Sequence, residues 1–148
     1  MHRVIIPDII EEHAVLTLKR TDSAFDAANM MKESNIAAVL VTDDDSKLEG
    51  IVTERDLTRR VVADGMDPKK TPLEDIMTAD PAILDPTDSA GDALEIMRKR
   101  SFRHLPVSRD GKVLGMVSIR DLYAAVKADL EADIKETEAF VFGDRYSA

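Results

Sequence analysis

The sequence predicts an α/β chain of the α+β type, built from two copies of one strand–helix–strand–strand–helix (βαββα) module. Two observations carry this. The segment Gly50-Ile51-Val52-Thr53-Glu54-Arg55-Asp56-Leu57 returns 65 positions later as Gly115-Met116-Val117-Ser118-Ile119-Arg120-Asp121-Leu122, with Thr exchanged for Ser, the other small hydroxyl residue. Upstream, residues 21–31 match residues 87–97 at seven of eleven positions, at an offset of 66. The offset drops by one because the turn at Asp43-Asp44-Asp45 is one residue longer than its counterpart at Arg109-Asp110. An exposed turn is where a duplicated fold accepts such a change, and self-similarity at a fixed offset marks a repeated structural unit.

Taken in order, Pro7 to Glu12 reads as a short acidic helix with Pro in its first turn, where the missing N–H does no harm. Ala14 to Leu18 is short and apolar, as a buried strand would be. Ser23 and Asp26 have the S-x-x-D spacing in which each side chain bonds the other residue's free backbone N–H, so a helix starts at Ala24. Within it Ala24, Ala28 and Met31 share the core face. Ile36 to Val41 and Leu48 to Val52, joined by a polar turn, form a hairpin. A second helix opens at Thr53, with Leu57 and Val61 on one face, and Gly65 is placed to end it.

Asp67 to Lys70 links the modules. Thr71-Pro72-Leu73-Glu74 combines a capping Thr, Pro at the first position and Glu at the third, and predicts a short helix to Met77. Ala82 to Leu84 repeats the first strand, and Thr87-Asp88-Ser89-Ala90 repeats Thr21-Asp22-Ser23-Ala24. The last helix carries an apolar face at Leu122, Val126, Leu130 and Ile134. The tail from Glu136 to Ala148 holds Phe140, Val141, Phe142 and Tyr146 among acids, and such residues need a partner surface.

Composition bounds the function. With no cysteine there is no disulfide framework, thiolate metal site or thiol nucleophile. The first residues carry Asp8, Glu11, Glu12 and His13 and lack the uncharged apolar run of a signal peptide or membrane span, so a cytoplasmic protein is expected. The formal net charge of -9 argues against DNA, RNA and anionic membranes as partners, since both need a basic face. An anionic ligand must find a local basic cluster. His2, His13 and His104 show no metal-ligand spacing, and no serine sits in a nucleophile motif, so neither a metal nor an enzymatic activity is expected. Met31 and Met97 occupy equivalent core positions.

The two Gly-h-Val-[Thr/Ser]-x-Arg-Asp-Leu segments, with Arg103-His104-Leu105-Pro106-Val107, resemble the motifs of cystathionine-beta-synthase (CBS) domains in tandem, the arrangement called a Bateman module. The resemblance covers Pro7 to Leu130, with CBS domains expected at residues 7–65 and 72–130 and a C-terminal helix extension and tail at 131–148. It implies modules packed sheet to sheet about a pseudo-two-fold axis, and a homodimer. It also implies a non-enzymatic regulatory module that binds an adenosyl compound between the modules: AMP, ADP, ATP, NAD or S-adenosylmethionine. By the same resemblance Asp56 and Asp121 would hold ribose hydroxyls, and Thr53 and Ser118 would lie near phosphate. His104, Leu105 and Pro106 would flank the base.

The residues also have plainer readings. Thr53-x-x-Asp56 and Ser118-x-x-Asp121 are capping boxes with Asp in place of Glu, each contributing about 0.5–2 kcal/mol to its helix. A helix start with free N–H groups also suits an anion, so the two roles are compatible. Arg55 and Arg120 sit inside the motifs and could give a phosphate charge-assisted bonds; Arg59 and Arg60 follow on the same helix. Lys99 and Arg100 complement a helix C-terminus, whereas Arg103 and His104 begin a strand expected to line the cleft. The first module has Ala37 and Ala38 there, so the two clefts are expected to be unequal. The alternative is a structural or oligomerisation module that docks on a partner protein without nucleotide.

Overall fold

The computed structural model describes residues 3–146, with side chains placed through residue 141. His2 and Ser147–Ala148, and the side chains of Phe142 and Tyr146, lie outside the described residues. Among the described residues six strands, β1 (Thr17–Leu18), β2 (Ala38–Thr42), β3 (Leu48–Thr53), β4 (Thr78–Ala79), β5 (His104–Arg109) and β6 (Lys112–Ser118), combine with four α-helices. The helices are α1 (Ala24–Ser34), α2 (Glu54–Leu57), α3 (Ala90–Arg100) and α4 (Ile119–Tyr146). Strands β1 to β4 form one sheet in chain order, and β5 and β6 form the other.

The duplication is visible in the caps. Ser23 accepts from Asp26 N and Ser89 from Asp92 N, each in a full capping box, and both helices end on a left-handed residue, Asn35 or Ser101. Ala24, Ala27 and Met31 of α1 pack on Val39, Val41 and Val52. Ala93 and Met97 of α3 pack on Leu105, Val107 and Val117. Between these cores lies a third cluster, where Ala38, Leu40 and Ile51 of the first sheet meet Val113 and Met116 of the second. The modules therefore pack sheet to sheet.

Each core borrows chain from the other side of the molecule. Ile5 is buried in the second core, anchored by Ile5 N–H to Asp88 O at 2.9 Å. Leu73 and Ile76 are buried in the first, with Leu73 N–H bonded to Asp22 O at 2.8 Å. These crossed segments also explain the glycine that opens each repeat. A Cβ on Gly50 would stand 2.6 Å from Met77 Sδ and 3.0 Å from Thr78 O, and one on Gly115 would stand 2.9 Å from His13 Cε1. A neighbouring segment crosses so closely that an added Cβ would have to displace it, Met77 and the Thr78 carbonyl at Gly50 and the His13 ring at Gly115.

Several local expectations are corrected. Residues 7–12 do not form a helix: a single turn spans Ile5–Ile9, and Ile6 within it is extended (φ -118, ψ 126), as a residue before proline prefers. The first strand is only Thr17–Leu18, at the sheet edge and not buried. Its copy shrinks to one parallel bridge, Leu84 with Val107. Ala27 takes the core position and Ala28 is exposed. Thr71 is buried but caps nothing, since its hydroxyl donates to Asp67 O at 2.8 Å; only a 3-10 turn, Leu73–Asp75, follows. Helix α4 runs without a break through the stretch read as a tail.

Candidate functional site

Both repeat motifs sit where a strand runs into a helix. At the end of β3, Asp56 Oδ2 accepts from Thr53 N at 2.9 Å and from Thr53 Oγ1 at 3.2 Å, while Asp56 N–H donates back to Thr53 Oγ1 at 3.3 Å. At the end of β6, Asp121 Oδ2 accepts from Ser118 N at 2.8 Å and Ser118 Oγ at 2.9 Å, and Asp121 N–H donates to Ser118 Oγ at 3.2 Å. The capping reading thus holds for both copies. Each Asp commits one oxygen to its cap and keeps Oδ1 for something else. For Asp56 that oxygen lies 3.9 Å from Arg60 Nε.

A cleft of about 790 Å³ opens between the modules against these helix starts. Of the residues singled out in the sequence, it brings together Thr53, Arg55, Asp56, His104, Ser118 and Arg120. Asp121 does not line it. Leu105 belongs to the second core and Pro106 is fully buried, so neither side chain faces the cleft. The carbonyl of Pro106 is already taken by Leu84 N–H at 2.9 Å. The complete Thr-x-x-Asp motif in the cleft is that of the first module, although the second module supplies Arg103 and His104.

The wall charge is the strongest property of this cleft. Arg55, Arg59, Arg60, Arg100, Arg103 and Arg120 all line it, in a chain whose formal net charge is -9. Among the described residues Arg60 is the one cleft arginine with a carboxylate partner, Asp56. Arg60 is further held by Nη1 donating to Ile76 O at 2.9 Å. Arg55 Nη1 reaches across the modules to Ser101 O, the carbonyl ending α3, at 3.5 Å. By contrast Arg98 and Lys99, in the same basic stretch as Arg100, are spent on Glu95 along α3.

His104 is half-buried at the start of β5. Burial pushes its imidazole pKa below the ordinary value and Arg103 adds to that, although the carboxylates of Asp121 and Glu54 act in the opposite direction. A neutral ring at neutral pH offers one donor and one acceptor. Sequence reasoning passed over Arg100, Ser101 and Pro81 as lining residues; they reach the cleft only because α3 ends beside the start of α2 and because β4 leads into it. No spacing rule reports such a meeting.

Two copies of a βαββα module, joined sheet to sheet around an arginine-lined cleft, define the class: a tandem-domain module with a cleft suited to an anion. The chain belongs to the CBS domain family, whose model matches it twice, at residues 8–63 and 73–128. It is similar to the CBS domain-containing protein CBSCBSPB2 of Arabidopsis thaliana, 38% identical over 112 residues that make up 75% of this chain and 21% of that protein. The chain thus spans about a fifth of the length of that relative. Among solved structures, it resembles a putative signal-transduction protein with CBS domains from Burkholderia ambifaria (TM-score 0.74, 40% identity, covering 78% of this chain and 85% of that one). It also resembles the CBS domain protein PAE2072 from Pyrobaculum aerophilum, solved in complex with AMP (TM-score 0.68, 27% identity, 74% and 84% covered).

Proposed function

We propose that this chain is a non-catalytic regulatory module that binds an adenosyl nucleotide in the intermodule cleft and signals by a change in how the two modules sit. One observation carries the reading: six arginines converge on one cleft of an acidic chain, five of them without a carboxylate partner among the described residues. Guanidinium groups left unpaired beside one another repel, and a phosphate relieves that repulsion with charge-assisted, often bidentate bonds. The AMP complex of PAE2072 supports the ligand class. The same charge favours AMP, ADP, ATP or NAD over S-adenosylmethionine, whose sulfonium adds another cation.

In this reading Asp56 Oδ1 takes the ribose diol and the arginines take phosphate, while the neutral His104 hydrogen-bonds the ligand. Thr53 and Ser118 hydroxyls already donate to their Asp, so they meet a phosphate only by turning that proton away. A phosphate competes with Ser101 O for Arg55. Because the cleft walls come from both modules, the ligand binds one arrangement better than another and shifts the population by that difference. The working form is a homodimer.

Titration calorimetry with AMP, ADP, ATP, NAD and S-adenosylmethionine tests the reading. Binding of the phosphorylated ligands ahead of S-adenosylmethionine is expected. The absence of any binding at millimolar concentration would refute it.

A further inference from the structure

Helix α4 leaves the body of the molecule half way along. Leu122 and Ala125 are buried in its first turns and Asp129 is paired to Arg3 at 3.0 Å, but every residue from Leu130 to Val141 is exposed. A free helical segment of this length is only marginally stable in water. Yet the helix carries a regular apolar stripe. Tyr123, Leu130, Ile134 and Val141 are 61%, 57%, 56% and 48% exposed, and at 3.6 residues per turn all four fall within a sector about 40° wide. Most of the stripe lies beyond residue 128, where the second CBS match ends.

The spacing of this stripe is symmetric. Tyr123 and Val141 are equidistant from Ala132, and so are Leu130 and Ile134. Two such helices laid antiparallel about that level place Tyr123 against Val141 of the second copy and Leu130 against its Ile134, each contact occurring twice. This is the self-complementarity a two-fold interface requires. The charges agree. Lys127 and Glu138 flank the stripe on the same side, 79% exposed in the case of the Lys127 side chain, and antiparallel pairing sets Lys127 of one copy beside Glu138 of the other. A parallel pair would instead put the two Lys127 side chains on opposite sides of the seam, each far from Glu138 of the other copy. Charged residues flanking an apolar seam choose the orientation of paired helices in this way.

We propose that α4 is the interface of a homodimer, in which the free C-terminal half of each helix covers the exposed stripe on the anchored half of its partner's. The proposal rests on the homodimer reading above and names its surface. Light scattering after size-exclusion chromatography of the full chain gives the first arm. The wild type is expected at twice the chain mass and Leu130→Asp/Ile134→Asp at the chain mass, with the same circular dichroism in the module region and the same nucleotide affinity. A monomeric wild type overturns both the dimer and its interface; a double variant that stays dimeric overturns the interface alone.

The second arm uses the lack of native cysteine. Mixing Lys127→Cys and Glu138→Cys proteins under oxidising conditions is expected to give a disulfide-linked heterodimer, with little product from either alone. Efficient self-linking of Tyr123→Cys, which meets its own copy only in a parallel pair, with no Lys127→Cys/Glu138→Cys heterodimer, would establish a parallel pair and overturn the antiparallel geometry.

Discussion

The two copies of the repeat are equal as helix starts and unequal as parts of the cleft. Thr53–Asp56 and Ser118–Asp121 make the same three hydrogen bonds with nearly the same lengths. Yet Thr53, Arg55 and Asp56 all face the cleft, whereas of the second copy only Ser118, Ile119 and Arg120 do. A local motif therefore guarantees a local structure and nothing further. Whether its carboxylate meets a ligand depends on which neighbouring segments the fold brings in, here the turn after β4 and the end of α3. The second module compensates from elsewhere, with Arg103 and His104 where the first has Ala37 and Ala38.

That comparison breaks most sharply at the two aspartates. Asp56→Ala is expected to weaken nucleotide binding about tenfold or more, the size of one lost charged hydrogen bond of roughly 1.5–3 kcal/mol. Asp121→Ala is expected to leave affinity within about twofold and to lower only stability, by a cap's roughly 0.5–2 kcal/mol. Calorimetric titration and thermal melts of both variants read this directly; equal losses of affinity would erase the distinction.

The two glycines sharpen the comparison at the level of packing. Gly50→Ala drives a Cβ towards the backbone carbonyl of Thr78 as well as Met77, whereas Gly115→Ala meets the ring of His13, an exposed residue. Overpacking costs about 1–3 kcal/mol, and Gly50→Ala is expected at the upper end, measured by urea denaturation. Adding His13→Ala is expected to recover part of the loss in Gly115→Ala and none in Gly50→Ala.

The smallest expected effect is that of pH. With its folded pKa held below the ordinary value, His104 takes up a proton more readily in the unfolded chain. Its contribution to stability is therefore full above the ordinary histidine range and is lost as pH falls through that range to the folded pKa. His104→Gln is expected to flatten this part of the stability profile, and nuclear magnetic resonance titration of the ring is expected to show the depressed pKa. A ring that titrates above its ordinary value would contradict the burial argument.

Much of the fold was legible because the strongest signals are local. Capping spacings at Ser23 and Ser89, the two hairpins, and Met31 with Met97 in the two cores all appear as read. The misread pieces answer to distant chain. Residues Val4 to Ile10 are held by the second module, β4 exists only by pairing with β3, and the Thr71 carbonyl is held by Ala24 N–H at 2.8 Å. Ala27 and Ala28 are adjacent and chemically identical, so only packing could choose between them. The site follows the same division. The motif residues were visible in the sequence, but which of the two aspartates would face the arginines depends on how the end of α3 and the turn after β4 pack against the start of α2.

The central claim, one working cleft served by two like motifs, is tested most directly by the stoichiometry of binding. Calorimetric titration of the wild-type chain with ATP is expected to give one molecule per chain, with that binding weakened about tenfold or more in Asp56→Ala. Two equivalent molecules per chain, or a loss confined to Asp121→Ala, would contradict the account.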